Sequence, residues 1–421
     1  MVRFRFSSVS LPATFCLALM ATLPVAVTRA ADPRTNNPSQ PMVPSQSTAA
    51  ADAFARALFA ELAGQEGNLA VSPASIESCM LLALAGARGQ TAEEIVRALR
   101  LPTDQTGDLE RLLDRARGRL EPAGQGQAKP SIDLAIANSV WVQQGLPIHD
   151  AYRRLLSLNN RATFESVDFL KHTDAARKAV NAWVDKATNH KIPELLKPNT
   201  VSPDTRLVLA NAIYFKARWD HPFDKSATKD AAFHRPGADD VMVPLMHSRT
   251  RYRYLETESY QTIELPYAGS QYAMVVWLPK KPDGLAALEK SFALGTTASL
   301  TKLGPALVEL SLPRFKANSS LSLAGTLSNL GMRRAFTPAA DFSGIVSEPL
   351  SISAVVHQAL VEVDEVGTEA AAATGAVAVT AAMPEPVQPK VFRADHPFVF
   401  AIRNRTTGDV LFLGRVANPA E

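Results

Sequence analysis

The stretch "VEVDEVGTEAAAATGAVAVTAAMPEP", residues 361–386, decides how the chain is read. After Glu365 it carries one charge, Glu369, before Glu385, and the rest is mostly alanine, threonine, glycine and valine. It is too poor in polar groups for an ordinary solvated loop and too small-sided to anchor a core. Its flanks are plainer. "SISAVVHQALVEVDE" before it reads as a strand, and "HPFVFAIRNRTTGDVLFLGRVANP" after it reads as a hairpin turning at Thr407–Gly408. A run of about twenty small residues is thus held between strands.

Working outward, strands dominate from Thr205: "TRLVLANAIYF", "YQTIELPYAGSQYAMVVWLP" with a turn at Gly269, and "ALVELSLPRF". Helical periodicity dominates earlier. Phe54, Leu58, Phe59 and Leu62 share one face, Ser72–Pro73 reads as a cap with proline in the first turn, and Thr91 with Glu94 has capping-box spacing. One early strand, "SIDLAIANSVWV", sends Ile132, Leu134 and Ile136 to one side, and helices return in "IHDAYRRLLSLNN" and "DAARKAVNAWVDKATN". Helices first and strands later give an α+β domain with largely antiparallel sheets, spanning residues 49–421.

Two segments precede that domain. Arg3 and Arg5 lead into the apolar "LPATFCLALMATLPVAV", which ends in "TRA" before "ADP". This pattern reads as a signal peptide over residues 1–30, and the short, twice proline-containing run argues against a membrane anchor. Residues 31–48 are a tether rich in Pro, Ser, Gln and Asn. Removing Arg3, Arg5 and Arg29 from 44 basic residues leaves 41, equal to the 41 acidic ones. No net charge remains to attract nucleic acid or an acidic membrane. Of two cysteines only Cys79 lies beyond the signal, so no intramolecular disulfide forms. Alanine- and arginine-rich usage behind such a signal reads as a bacterial exported protein, secreted or periplasmic.

Enzyme signatures are absent: no nucleophile elbow, Walker loop, dinucleotide fingerprint or zinc-protease helix occurs. The eight histidines show no metal-ligand spacing. His357, alone in an apolar strand, reads as a hydrogen-bonded core residue rather than a base. Arg111, Arg115, Arg117 and Arg119 alternate with Asp108, Glu110, Asp114 and Glu121, which reads as a solvated helix rather than a polyanion site.

"VEVDEVGTEAAAAT" resembles the hinge of the serpins, the serine-protease-inhibitor superfamily. "NLAVSPASIESCMLLALAGARGQTAEEI", "LVLANAIYFKARWDHPF", "ELPYAGSQYAMVVWLP", "LPRFKANSSLSL" and "HPFVFAIRNRTTGDVLFLGRVANP" resemble that family's blocks, in its order, from about Ala49 to Pro419. The resemblance implies a serpin fold, about nine helices around three β-sheets with an exposed reactive-centre loop, here about residues 365–390. It also implies a suicide-substrate mechanism. The target protease cleaves the loop and is acylated, the hinge-side half enters the large sheet as a strand, and the protease is deformed before water can release it.

The composition of the loop agrees with that use. Alternate strand residues face opposite sides, so Thr368, Ala370, Ala372, Thr374, Ala376, Ala378 and Thr380 would share one face, all small. Glu369 falls on the other face with Ala371 and Ala373. Bulk or an unpaired charge brought inward would cost several kcal/mol.

The resemblance carries further roles, residue by residue. Glu365, Val366, Gly367, Thr368, Glu369, Ala370, Ala371, Ala372, Ala373 and Thr374 match the hinge. Ser72, Ser75, Asn211 and His357 match the shutter beneath the two central strands, and Trp219 matches the tryptophan where insertion begins. Counting fourteen from Gly367 puts the reactive bond at Ala381–Ala382, with Thr380 as an alternative. Its small side chains suit elastase-like or subtilisin-like serine proteases rather than trypsin-like ones, which need Lys or Arg. The expected partner is such a protease, engaged by a monomer without cofactor or metal. A non-inhibitory serpin acting as a binding or chaperone module is the competing reading.

Overall fold

Fourteen mostly apolar residues, Pro73–Gly86, with Ser75, Glu77 and Ser78 as the polar exceptions, form the helix around which the rest is built. Ser72 ends the preceding extended segment, and its Oγ accepts from the Ser75 N–H at 3.2 Å while Pro73 takes the first helical position. Every residue of this helix is buried, as a helix apolar on all sides requires. Gly86 is needed there, because a Cβ would lie 2.0 Å from Cγ1 of Ile345.

The computed structural model describes residues 46–102, 108–120, 132–157, 162–293, 300–366 and 388–421. The expected signal segment and the tether up to residue 45 lie outside them. So do Gly367–Thr374 of the hinge and the reactive-bond residues Thr380, Ala381 and Ala382. Among the described residues there are eight α-helices: α1 (Gln46–Leu62), α2 (Pro73–Gly86), α3 (Gly89–Ala98), α4 (Leu109–Leu120), α5 (Asp150–Ser157), α6 (Phe169–Ala187), α7 (Leu285–Ala293) and α8 (Ala324–Asn329). No helix among them is long and apolar enough to cross a membrane. Phe54, Leu58, Phe59 and Leu62 of α1 are all buried in one cluster. The capping box at Thr91 does not form. Helix α3 starts two residues earlier, at Gly89; the Thr91 Oγ1 accepts from the Asp341 N–H and the Glu94 carboxylate from the N–H groups of Arg333 and Arg334. Tertiary donors have displaced the local one.

The five-stranded sheet runs β10 (Phe315–Ser322), β11 (Ala354–Val363), β4 (Leu207–Ala217), β2 (Ile132–Gln143), β3 (Thr163–Val167). Its strands β11 and β4 are parallel, with Ala354 opposite Val208 and Val361 opposite Phe215. Odd-numbered residues of both point inward: Ile213, Phe215, Ala217, Ala359, Val361 and Val363 share one buried cluster. On the outer face Ala210, Ala212 and Val356 pack with Val180 and Val184 of α6.

The remaining strands form one hydrogen-bonded ladder: β1 (Leu69–Val71), β14 (Val410–Val416), β13 (Phe398–Asn404), β8 (Tyr272–Pro279), β7 (Tyr260–Pro266), β6 (Val241–Glu256), β9 (Gly304–Pro313), β12 (Lys390–Arg393), with β5 (Lys229–Phe233) also on β6. The 16-residue β6 joins two sheets. It pairs with β5 over Val241–Leu245, with β9 over Leu245–Tyr254 and with β7 only over Arg253–Glu256. The three expected sheets are thus the five-stranded one and two that share a strand.

Candidate functional site

The chain enters the small-residue segment directly from the end of β11, beside the seam where β11 and β4 run parallel. Midway along that seam a row of polar side chains interrupts the apolar inner face. Asn138, Asn211 and His357 lie side by side on β2, β4 and β11. The N-terminus of α2 meets them from below. Asn211 Nδ2 donates to Ser75 Oγ at 2.6 Å and to Asn138 Oδ1, and the Ser72 N–H donates to His357 Nε2 at 3.2 Å. Since a backbone N–H can only donate, Nε2 is the acceptor and His357 Nδ1 carries the proton given to Asn211 Oδ1. The ring is fully buried, and burial pushes its pKa down to about 3. It is therefore a neutral structural link, with no water-facing nitrogen to act as a base.

The four residues Ser72, Ser75, Asn211 and His357 are thus in one network, and Asn138 is a fifth member that the sequence reading missed. Its signal was available: it continues the apolar side of Ile132, Leu134 and Ile136, where a polar residue must find a partner. Asn138 Nδ2 also reaches Ser78 Oγ at 3.4 Å.

At the end of the seam the chain is tied down before it reaches Gly367. Trp219 Nε1 donates to the Asp364 carbonyl at 2.8 Å, and its ring stacks on Tyr267 at 4.5 Å. The Phe223 N–H donates to the Glu365 carbonyl at 2.9 Å. Glu365 itself is 2% exposed; Arg314 Nε donates to both its oxygens at 2.7 Å, and Thr228 Oγ1 donates at 2.6 Å. Burial alone would push that carboxyl up, but the Arg314 and Thr228 bonds outweigh it and hold it below the usual carboxylate range. Val366 donates its N–H to Asp364 Oδ1 at 3.1 Å. Arg314 and Thr228 carry no local sequence signal, because each comes from a link just before a strand far away in the chain.

The arginine-rich helix is not wholly solvated. Leu112, Leu113, Ala116 and Leu120 of α4 are buried, and Arg119 turns inward to pair with the buried Glu77 of α2. About three helix turns of alternating charge hide one arginine that packs the domain. The signal was Glu77, a carboxylate on a helix otherwise without charge.

Residues 49–419 match the family model described as Serpin (serine protease inhibitor). An uncharacterized serpin-like protein of Thermococcus kodakarensis is 39% identical over 381 residues, covering 88% of this chain and 85% of its own. The leukocyte elastase inhibitor of Sus scrofa is 37% identical over 387 residues, covering 89% of this chain and 100% of its own. Among solved structures, Serpin48, a highly specific serpin of the insect Tenebrio molitor, superposes with a TM-score of 0.77 at 32% identity, covering 88% of this chain and 97% of that one. With that family model matching residues 49–419 and a relative 39% identical over 88% of the chain, this chain belongs to the serpin family of serine protease inhibitors.

Proposed function

We propose that the protein is an exported suicide-substrate inhibitor of elastase-like or subtilisin-like serine proteases, cleaved at Ala381–Ala382 and acting as a monomer. The observation that carries this reading is the parallel β4–β11 seam, which opens directly onto the small-residue segment. A strand returning from the end of β11 runs antiparallel to both neighbours. Its entry exchanges one parallel ladder for two antiparallel ones, each at least as strong per residue. The inner face beneath the seam is close-packed by Ile213, Phe215, Ala359 and Val361, so inward positions tolerate only small side chains. The Glu365–Arg314 pair holds the base of the segment while its far end is cut. Target class rests on the small residues at 378–382, in keeping with the name of the porcine elastase inhibitor. Export rests on the pattern of residues 1–30.

Incubation with elastase-like, subtilisin-like and trypsin-like proteases tests it. The expected product is a complex with one of the first two that survives boiling in detergent, the released fragment beginning at Ala382 or a direct neighbour. Trapping of trypsin-like enzymes alone would overturn the target class, and Ala381→Arg is expected to create that specificity. Cleavage without trapping would overturn the inhibitory reading.

A further inference from the structure

The outer face of the seam carries its own fastening, separate from the Trp219 and Arg314 anchors. Lys216, near the end of β4, places Nζ 2.8 Å from Asp364 Oδ2 and 3.7 Å from Glu362 Oε2, both on the far side of the seam. Tyr214, also on β4, donates its hydroxyl to the same Glu362 oxygen at 3.3 Å. The other oxygen of Glu362 faces Lys316 on β10 at 2.9 Å, and Lys191, just beyond α6, lies over the Tyr214 ring at 5.1 Å. These side chains are partly covered: Lys216 is 22% and Glu362 17% exposed. Burial disfavours the charge on both, yet Asp364 and Glu362 raise the Lys216 pKa, and Lys316, Lys216 and Lys191 lower that of Glu362.

We propose that Lys216, with Tyr214 as its neighbour on β4, acts as an ionic strap to Glu362 and Asp364 that sets how fast the β4–β11 seam opens. This rests on the loop-insertion reading above. Neighbouring strands are about 4.8 Å apart, and an inserted strand doubles that spacing. A 2.8 Å contact across the seam cannot survive with another backbone between its partners. The strap must part before the entering strand has formed its own hydrogen bonds, so it raises the barrier without holding the finished product. Lys316 is the natural comparison. It pairs with the same carboxylate but from β10, whose pairing with β11 is not disturbed by a strand entering on the other side.

Seam opening can be read without a protease, by adding a synthetic peptide with the sequence of residues 368–381 to the uncleaved protein. Native mass spectrometry then follows its incorporation. Lys216→Met is expected to take up the peptide about tenfold faster than wild type at low salt, equivalent to about 1.4 kcal/mol of barrier. The wild-type rate is expected to climb toward that of the variant as salt approaches roughly 0.5 M, since partly exposed pairs are screened. Lys316→Met is expected to match wild type. The proposal is overturned if Lys216→Met accelerates uptake less than about twofold, or if Lys316→Met accelerates it equally. A wild type indifferent to salt also overturns it, and that arm needs no variant to fold. If the wild type takes up no peptide and traps no protease, the loop-insertion reading falls with it; trapping by a wild type with salt-independent uptake overturns the strap alone.

Discussion

Acidification should loosen this protein through one buried ring. His357 is neutral, accepts from the Ser72 N–H and donates to Asn211. Protonation would set an N–H against an N–H inside the core. Its folded pKa of about 3 lies below the unfolded value of about 6.5. The sign follows: stability from the neutral ring is fully present above pH 6.5 and is lost as pH falls from there toward 3, because the unfolded chain gains the proton first. The slope is about 1.4 kcal/mol per pH unit, so moving from pH 7.5 to 4.5 removes about 2.7 kcal/mol, a sizeable part of a typical 5–15 kcal/mol margin. His247, also pushed down, first by burial and then by Arg393 and Lys229, loses stability in the same direction, so a comparison is needed to isolate His357. His357→Gln supplies it, since an amide can accept from Ser72, donate to Asn211 and never titrate. It should cost about 1–2 kcal/mol at pH 7.5 and then fall less steeply. With an m-value of about 3 kcal/mol/M, the wild-type urea midpoint should lose roughly 0.9 M more than that of the variant between pH 7.5 and 4.5. Parallel profiles for the two proteins would refute the reasoning.

Arg314→Met leaves the buried Glu365 carboxylate with Thr228 as its remaining side-chain donor. A loss of about 2–4 kcal/mol is expected at neutral pH, checked by thermal unfolding, and it should shrink below the ordinary carboxylate range as Glu365 takes up a proton. Heparin-like polyanions should accelerate inhibition by less than about twofold, because basic and acidic residues balance beyond residue 30 and Arg119 is spent on Glu77; a large acceleration abolished by Arg115→Ala would contradict this. Thr368→Arg should convert inhibitor to substrate, each ~1.4 kcal/mol on insertion slowing it tenfold, while Glu369→Arg should leave trapping largely intact; equal behaviour of the two, scored as complex against cleaved product on a gel, would count against the alternating faces.

What could be read from the sequence was local. Ser72–Pro73 announces the start of α2, and the alternation of Ile132, Leu134 and Ile136 announces the inner face of β2, because caps and two-residue alternation are set by neighbouring residues. What could not be read depends on partners far along the chain. Strand β6 hides behind Pro244, and its Arg–Tyr alternation becomes intelligible only when β9 and β7 pair with it on either side. Thr91 and Glu94 have the spacing of a cap, but donors 239 to 250 residues away claim them. Asn138 joins the polar row with Asn211 and His357 only because β2 and β4 pair in that register. The strap at Lys216 is silent in sequence, since nothing in "YFKARW" says that one carboxylate from β11 and one just past its end lie alongside.

The most direct test of the account is the structure of the protein after cleavage in the segment 367–387. There β4 and β11 should no longer pair, a new strand should run antiparallel between them, and Thr368, Ala370 and Ala372 should point inward with Glu369 outward. A cleaved chain in which Ala354 still faces Val208 and Val361 still faces Phe215 would contradict it.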